Sequence, residues 1–103
     1  MGKIEEMVRR IVNHFDPEWI ILFGSHARGA GGPDSDVDLL VVMHVSGSRR
    51  AKRLEIRVSL SGIGLPKDII VVTPEEVERF RDIPGTIIRP APKEGKVLYE
   101  RAA

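Results

Sequence analysis

The chain has 103 residues, a formal net charge of +1 and no cysteine. This length suffices for one compact core, the missing cysteines exclude disulfides, cysteine-bound zinc and thiol catalysis, and the small net charge gives no bulk pull toward nucleic acid or membrane. Hydrophobic residues at 42% beside charged residues at 30% describe a folded chain rather than a disordered one.

The opening residues MGKIEEMVRR lack the apolar segment of a signal peptide, and no run reaches membrane-spanning length, so a cytoplasmic protein is expected. Residues 3–15 place Ile4, Met7, Val8, Ile11, Val12 and Phe15 at the period of an amphipathic helix. Asp16-Pro17 ends it, because a residue before proline is pushed out of the helical region. Trp19 to Phe23 is an unbroken apolar run between turn signals, which predicts a buried strand. Gly24-Ser25 turns the chain. Ser25 to Arg28 reads as a short helix whose N–H groups face the turn, and Gly29-Ala30-Gly31-Gly32-Pro33 as a loop.

Val37 to Met43 predicts a second strand, covered on both faces. Ser46-Gly47-Ser48 breaks the chain. Arg49 to Ser61 predicts a helix with Ala51, Leu54 and Val58 on one side and Arg49, Arg50, Lys52, Arg53 and Arg57 mostly elsewhere. Gly62, Gly64 and Pro66 end it. Lys67 to Val72 is the third strand. Thr73-Pro74-Glu75-Glu76 is a helix start, with a threonine cap, proline at the first position and glutamate at the third. That helix is expected to reach about Asp82, with Val77 and Phe80 inward, and to stop before Pro84-Gly85. Thr86, Ile87 and Ile88 fit no one class, Pro90 and Pro92 oppose a long helix, and Lys96 to Glu100 reads as a last short strand. Without repeats or a linker, the expectation is one α+β domain over residues 1–103, a mixed sheet flanked by helices. Sheet order stays open.

The chemistry concentrates in residues 24 to 42, GSHARGAGGPDSDVDLLVV. Ten residues separate Ser25 from Asp36, and Asp38 follows two residues later. Side chains at i and i+2 of a strand share a face, so two carboxylates there repel each other unless a cation lies between them. Asp38 opens an apolar strand, where an unpaired charge is costly. Asp68 opens another; if the second and third strands are neighbours, it stands beside Asp38. Three converging carboxylates make an oxygen site for Mg²⁺ or Mn²⁺. Turn aspartates on the surface are the plainer reading, strongest for Asp36.

Gly24 leaves room for phosphates, and Ser25 can donate its hydroxyl and N–H to a phosphate oxygen. Arg28 can approach the same anion; an ion pair with Asp34 or Asp36 explains it equally. His26 has no neighbour to orient it and is read as a rim or surface residue, and His14 and His44 form no triad or zinc spacing. Arg49, Arg50, Lys52 and Arg53 suit a nucleotide triphosphate, a nucleic acid, an acidic partner or simply a solvated helix face.

Gly-Ser, ten residues, Asp-x-Asp and a later strand aspartate together resemble the DNA polymerase β-like nucleotidyltransferase superfamily. GSHARG followed by SDVDLLV resembles its minimal nucleotidyltransferase (MNT) branch, over most of the chain from the first helix to GKVLYE. The resemblance implies that Asp36 and Asp38 hold two Mg²⁺ ions and that Asp68 completes the metal site nearest the attacking hydroxyl and assists its deprotonation. It implies that Gly24 and Ser25 hold the β- and γ-phosphates of ATP while a hydroxyl attacks the α-phosphate. It further implies an antitoxin that transfers AMP to a tyrosine of a HEPN-domain toxin encoded nearby. Larger relatives append acceptor-binding domains for which this chain has little room, which favours a protein acceptor. Nucleic acid is not an expected partner, and a homo-oligomer is compatible with the sequence. The competing reading is a non-catalytic module that neutralises its partner by occlusion.

Overall fold

A computed structural model describes residues 2–27, 29, 32, 35–80 and 95–101 of the chain. The order is α1 (Lys3–Phe15), β1 (Trp19–Phe23), β2 (Val37–Val42), α2 (Arg49–Ser59), β3 (Lys67–Val72), α3 (Pro74–Phe80) and β4 (Lys96–Glu100). The four strands form one sheet in the order β3-β2-β1-β4. β1 runs antiparallel to β2 and β4, and β2 runs parallel to β3. A parallel pair needs a crossover, which α2 supplies. The fold is α+β, a mixed sheet flanked by helices.

Local chemistry sets the element ends. α1 closes at Asp16, in the left-handed region at φ 47°, whose N–H reaches the Val12 carbonyl at 3.2 Å. Ser48 caps α2 by accepting the Ala51 N–H at 3.1 Å. α3 begins with a reciprocal pair: the Glu76 N–H donates to the Thr73 hydroxyl at 3.2 Å, and the Thr73 N–H donates to the Glu76 carboxylate at 3.0 Å. The second strand ends at Val42 and the second helix at Ser59, slightly short of expectation. Asp82, Pro84-Gly85, Thr86 to Ile88, Pro90 and Pro92 lie outside the described residues, as does the side chain of Phe80.

Period-two alternation divides the sheet into two apolar faces. Ile20, Leu22, Val37, Leu39, Val41, Ile69 and Val71 join Met7 and Ile11 of α1 and Ile56 of α2 in one core. Ile21, Leu40, Val42 and Val72 face the other way and pack with Val77 of α3. Because both faces are covered, the central strands read as unbroken apolar runs. Among the described residues no helix is long and apolar enough to cross a membrane.

Ala51, Leu54 and Val58 share a side of α2, as expected, and that side faces solvent: Leu54 is 62% and Val58 63% exposed. The buried ridge is Ile56, Leu60 and Ile63. Two of its members lie beyond the helix end, and the chain past Ser59 brings them under the sheet with Ile56. In urea denaturation, Ile56→Ala is expected to lose roughly 2–5 kcal/mol, and Leu54→Ser about 0.5 kcal/mol or less. Equal losses would contradict this orientation of α2.

Candidate active site

The register places the acidic residues. Asp38, the second residue of β2, is opposite Phe23 of β1 and, on its other side, opposite Asp68 of β3. Residues opposite one another in adjacent strands project to the same face, with strands about 4.8 Å apart. Asp38 and Asp68 therefore lie on the face carrying Leu40 and Val42, away from α1 and α2. The strands are held in this register by the Val37 N–H donating to the Pro66 carbonyl at 2.9 Å, and at the far end by the Met43 N–H donating to the Val72 carbonyl at 2.9 Å. Asp36 precedes β2 and is exposed, as is Asp68, while Asp38 is partly buried.

Gly24 closes the third side. Its φ is +79°, and a Cβ built on it would collide with Oδ2 of Asp38. Glycine meets both demands, a left-handed backbone and the close approach of a carboxylate. The space that a side chain would fill is thus taken by Asp38 itself. After Gly24 the chain makes two successive hydrogen-bonded turns, Ala27 N–H to the Gly24 carbonyl and Gly29 N–H to the His26 carbonyl, both at 3.2 Å. The short helix expected to begin at Ser25 is corrected: residues 25–27 form turns, because both bonds span three residues instead of the four of an α-helix. Among the described residues the Ser25 hydroxyl has no hydrogen-bond partner. Arg28 and Asp34 lie outside the described residues.

His26 is also corrected. It is partly buried, and its Nε2 lies 3.1 Å from the Ser35 carbonyl, which can only accept, so Nε2–H donates. The loop between them brings residues 26 and 35 together, and spacing along the chain gave no signal of it. A Gly32 N–H bond to the Ser35 hydroxyl at 3.2 Å braces the same loop.

The electrostatics follow from this arrangement. Burial, then the Asp68 carboxylate, then Asp36 push the Asp38 carboxyl above its usual range, and His26 pulls weakly the other way. Among the described residues no lysine or arginine forms an ion pair with Asp36, Asp38 or Asp68. An all-oxygen, un-neutralised donor set is the chemistry that a hard divalent cation fits. Among the described residues no three carboxylate or histidine groups already stand close enough to enclose a cation. Register joins Asp38 to Asp68, and Asp36 stands just before the strand, two residues ahead of Asp38.

A carboxyl with a raised folded-state pKa binds its proton more readily folded than unfolded, so its charging opposes folding. That cost is absent below the ordinary carboxylate range and appears as pH rises through the raised value. Asp38→Asn is therefore expected to raise the thermal midpoint by a few degrees at neutral pH. The gain should vanish in acid, where Asp38 is protonated. A variant less stable than the wild-type chain at neutral pH would contradict this reading.

Comparison with known proteins agrees with the fold. A family model described as nucleotidyltransferase domain matches residues 2–99. A crystal structure of a candidate nucleotidyltransferase from Sulfolobus solfataricus is 23% identical, with TM-score 0.64 over 96% of this chain and 78% of that one. A toxin–antitoxin structure with AMP-PNP is 21% identical, with TM-score 0.64 over 94% of this chain and 73% of that one. These two likenesses concern the fold. No curated protein matches the sequence. The match along nearly the whole chain, on a mixed sheet with its aspartates at one strand mouth, makes the chain a member of the nucleotidyltransferase domain family.

Proposed function

We propose that the chain transfers AMP from ATP to a hydroxyl of a partner protein, with Asp36, Asp38 and Asp68 as the metal-binding carboxylates. The observation that carries this reading is the pairing of Asp38 with Asp68 beside a glycine whose missing Cβ is replaced by a carboxylate. Two like charges opposite one another in a sheet are destabilising, and a site that binds a divalent ion is the function that accounts for them.

The roles are those that the family resemblance implies. Asp36 and Asp38 would hold two Mg²⁺ ions, and Asp68 would complete the ion site nearer the acceptor. When bound, the ions supply charge neutralisation on the triphosphate and lower the pKa of the acceptor hydroxyl. Ser25 donates its unengaged hydroxyl to a phosphate oxygen, Gly24 keeps the backbone close to the phosphates, and Arg28 adds charge to the same anion. The acceptor oxygen forms a bond to the α-phosphorus, the bond from that phosphorus to the bridging oxygen breaks, and pyrophosphate leaves. The hydroxyl proton passes to Asp68. His26, tied to Ser35, holds the turn against the loop before β2.

ATP as donor and a protein as acceptor draw support from the structural neighbour, a toxin–antitoxin solved with an ATP analogue. The MNT resemblance makes the acceptor a tyrosine of a HEPN-domain protein encoded beside this chain, in the cytoplasm, and makes this chain the antitoxin. The test is label transfer from ATP to that protein in the presence of Mg²⁺, read by intact mass. The wild-type chain should transfer AMP, and Asp36→Asn with Asp38→Asn should lower the rate at least about a thousandfold. Transfer that persists in the double variant would overturn the catalytic assignment. Partner inhibition without any transfer would favour occlusion.

A further inference from the structure

α2 buries little of its own circumference. Ile56 is its buried residue, while Ala51, Leu54 and Val58 stand in a row on the opposite side. Residues three and four apart share a helix face, so these three form a ridge. Leu54 and Val58 are two of the three large hydrophobic side chains that stand exposed among the described residues. Arg50, Arg53 and Arg57 flank the ridge on one side and, with Leu54, line a shallow groove. The other cations of α2 are engaged: Arg49 pairs with Glu76 at 2.7 Å and Lys52 with Glu55 at 2.9 Å. Among the described residues Arg50, Arg53 and Arg57 have no ion-pair partner.

We propose that this face of α2 is a docking surface for a partner protein's acidic amphipathic helix, its apolar stripe on Leu54 and Val58 and its carboxylates on the three arginines. Arginine suits the task, because its planar fork binds carboxylates in two-point fashion. Charge decides against the other occupants. A second copy packed antiparallel about a two-fold axis would set the three arginines against their own copies, and a parallel one would offer them a single carboxylate, Glu55, which Lys52 already holds at 2.9 Å. A phosphate backbone gains nothing from an aliphatic ridge. A membrane-lying helix would want aromatic anchors, which α2 lacks, and would meet Glu55 at the ridge's other border. α2 lies across the sheet from Asp38 and Asp68, so a docked helix leaves those carboxylates open. The proposal stands apart from the nucleotide chemistry and does not depend on it.

The test uses the full chain and a labelled synthetic helix with leucines at i, i+3, i+4 and i+7 and glutamates on either side. Controls are a scrambled peptide of the same composition, a single-stranded RNA oligonucleotide and phosphatidylserine vesicles. Binding is read by fluorescence anisotropy and mapped by amide shifts. The ordered peptide should bind, shifting residues 50–58, and the scrambled one should not. Leu54→Ser with Val58→Ser, and separately Arg53→Glu with Arg57→Glu, should each weaken binding at least about tenfold. Equal binding of scrambled peptide, tighter binding of RNA or vesicles, or no binding at all would overturn the proposal. So would concentration-dependent self-association that both double variants abolish. If a variant fails to fold, the shift map of the wild-type chain decides alone.

Discussion

The arrangement depends on one pairing, Asp38 of β2 beside Asp68 of β3 in parallel register. Nothing local favours it. Two carboxylates share a sheet face, a third precedes the strand, and Asp38 is partly desolvated, which together drive its carboxyl to hold a proton more tightly. The register survives because the rest of both strands is apolar and buried, from Leu39 to Val42 on one strand and at Ile69, Val71 and Val72 on the other. Slipping by one residue would turn every one of those side chains to the wrong face, a loss far larger than the repulsion of one acidic pair. The core thus imposes the unfavourable contact, and in the proposed function the ions and the triphosphate give that contact its use.

Gly24 is the second half of the same constraint. Its left-handed backbone ends β1 where Asp38 enters β2, and its missing side chain lets the carboxylate come against the main chain. The turn beyond it is held by His26 on Ser35, so the chain before β2 is tied to the chain after β1. In the proposed mechanism this sets phosphate donors and metal-binding carboxylates a few ångströms apart without any helix. The sheet also separates the two proposed tasks. One face carries the acidic residues, and the other carries α1 and α2 with the arginine-flanked ridge turned to solvent. A partner held on that ridge and a nucleotide held at the strand mouth would not compete for space.

Much of this was legible along the chain, for identifiable reasons. α1, β1, β3 and β4 have the boundaries that periodicity and turn residues suggested, because each depends on local signals such as Asp16-Pro17 or Thr73-Pro74. The family resemblance rested on Gly24, Ser25, Asp36, Asp38 and Asp68, and the family match along the chain agrees with it. The failures were non-local. The orientation of α2 depends on Leu60 and Ile63, which pack only after the helix has ended, so the shared side of Ala51, Leu54 and Val58 gave no sign that it faces solvent. Residues 25–27 looked helical because a short helix there would turn its N–H groups to the Gly24-Ser25 turn, whereas the bonds made there span one residue too few. His26 looked idle because its partner, Ser35, is reached only when the loop folds back. The strand order, and hence the meeting of Asp38 with Asp68, depends on the crossover through α2, which a linear pattern does not encode.

The claim that the sheet register builds a divalent-ion site is tested most directly by titrating Mn²⁺ into the isotopically labelled chain with a non-hydrolysable ATP analogue and following paramagnetic broadening of the amides. The account predicts that Gly24, Asp36, Asp38 and Asp68 broaden first and together, while residues 50–58 of α2 keep their intensity, since they lie across the sheet. Broadening that centres elsewhere, or that leaves Asp68 sharp while Asp38 disappears, would contradict it.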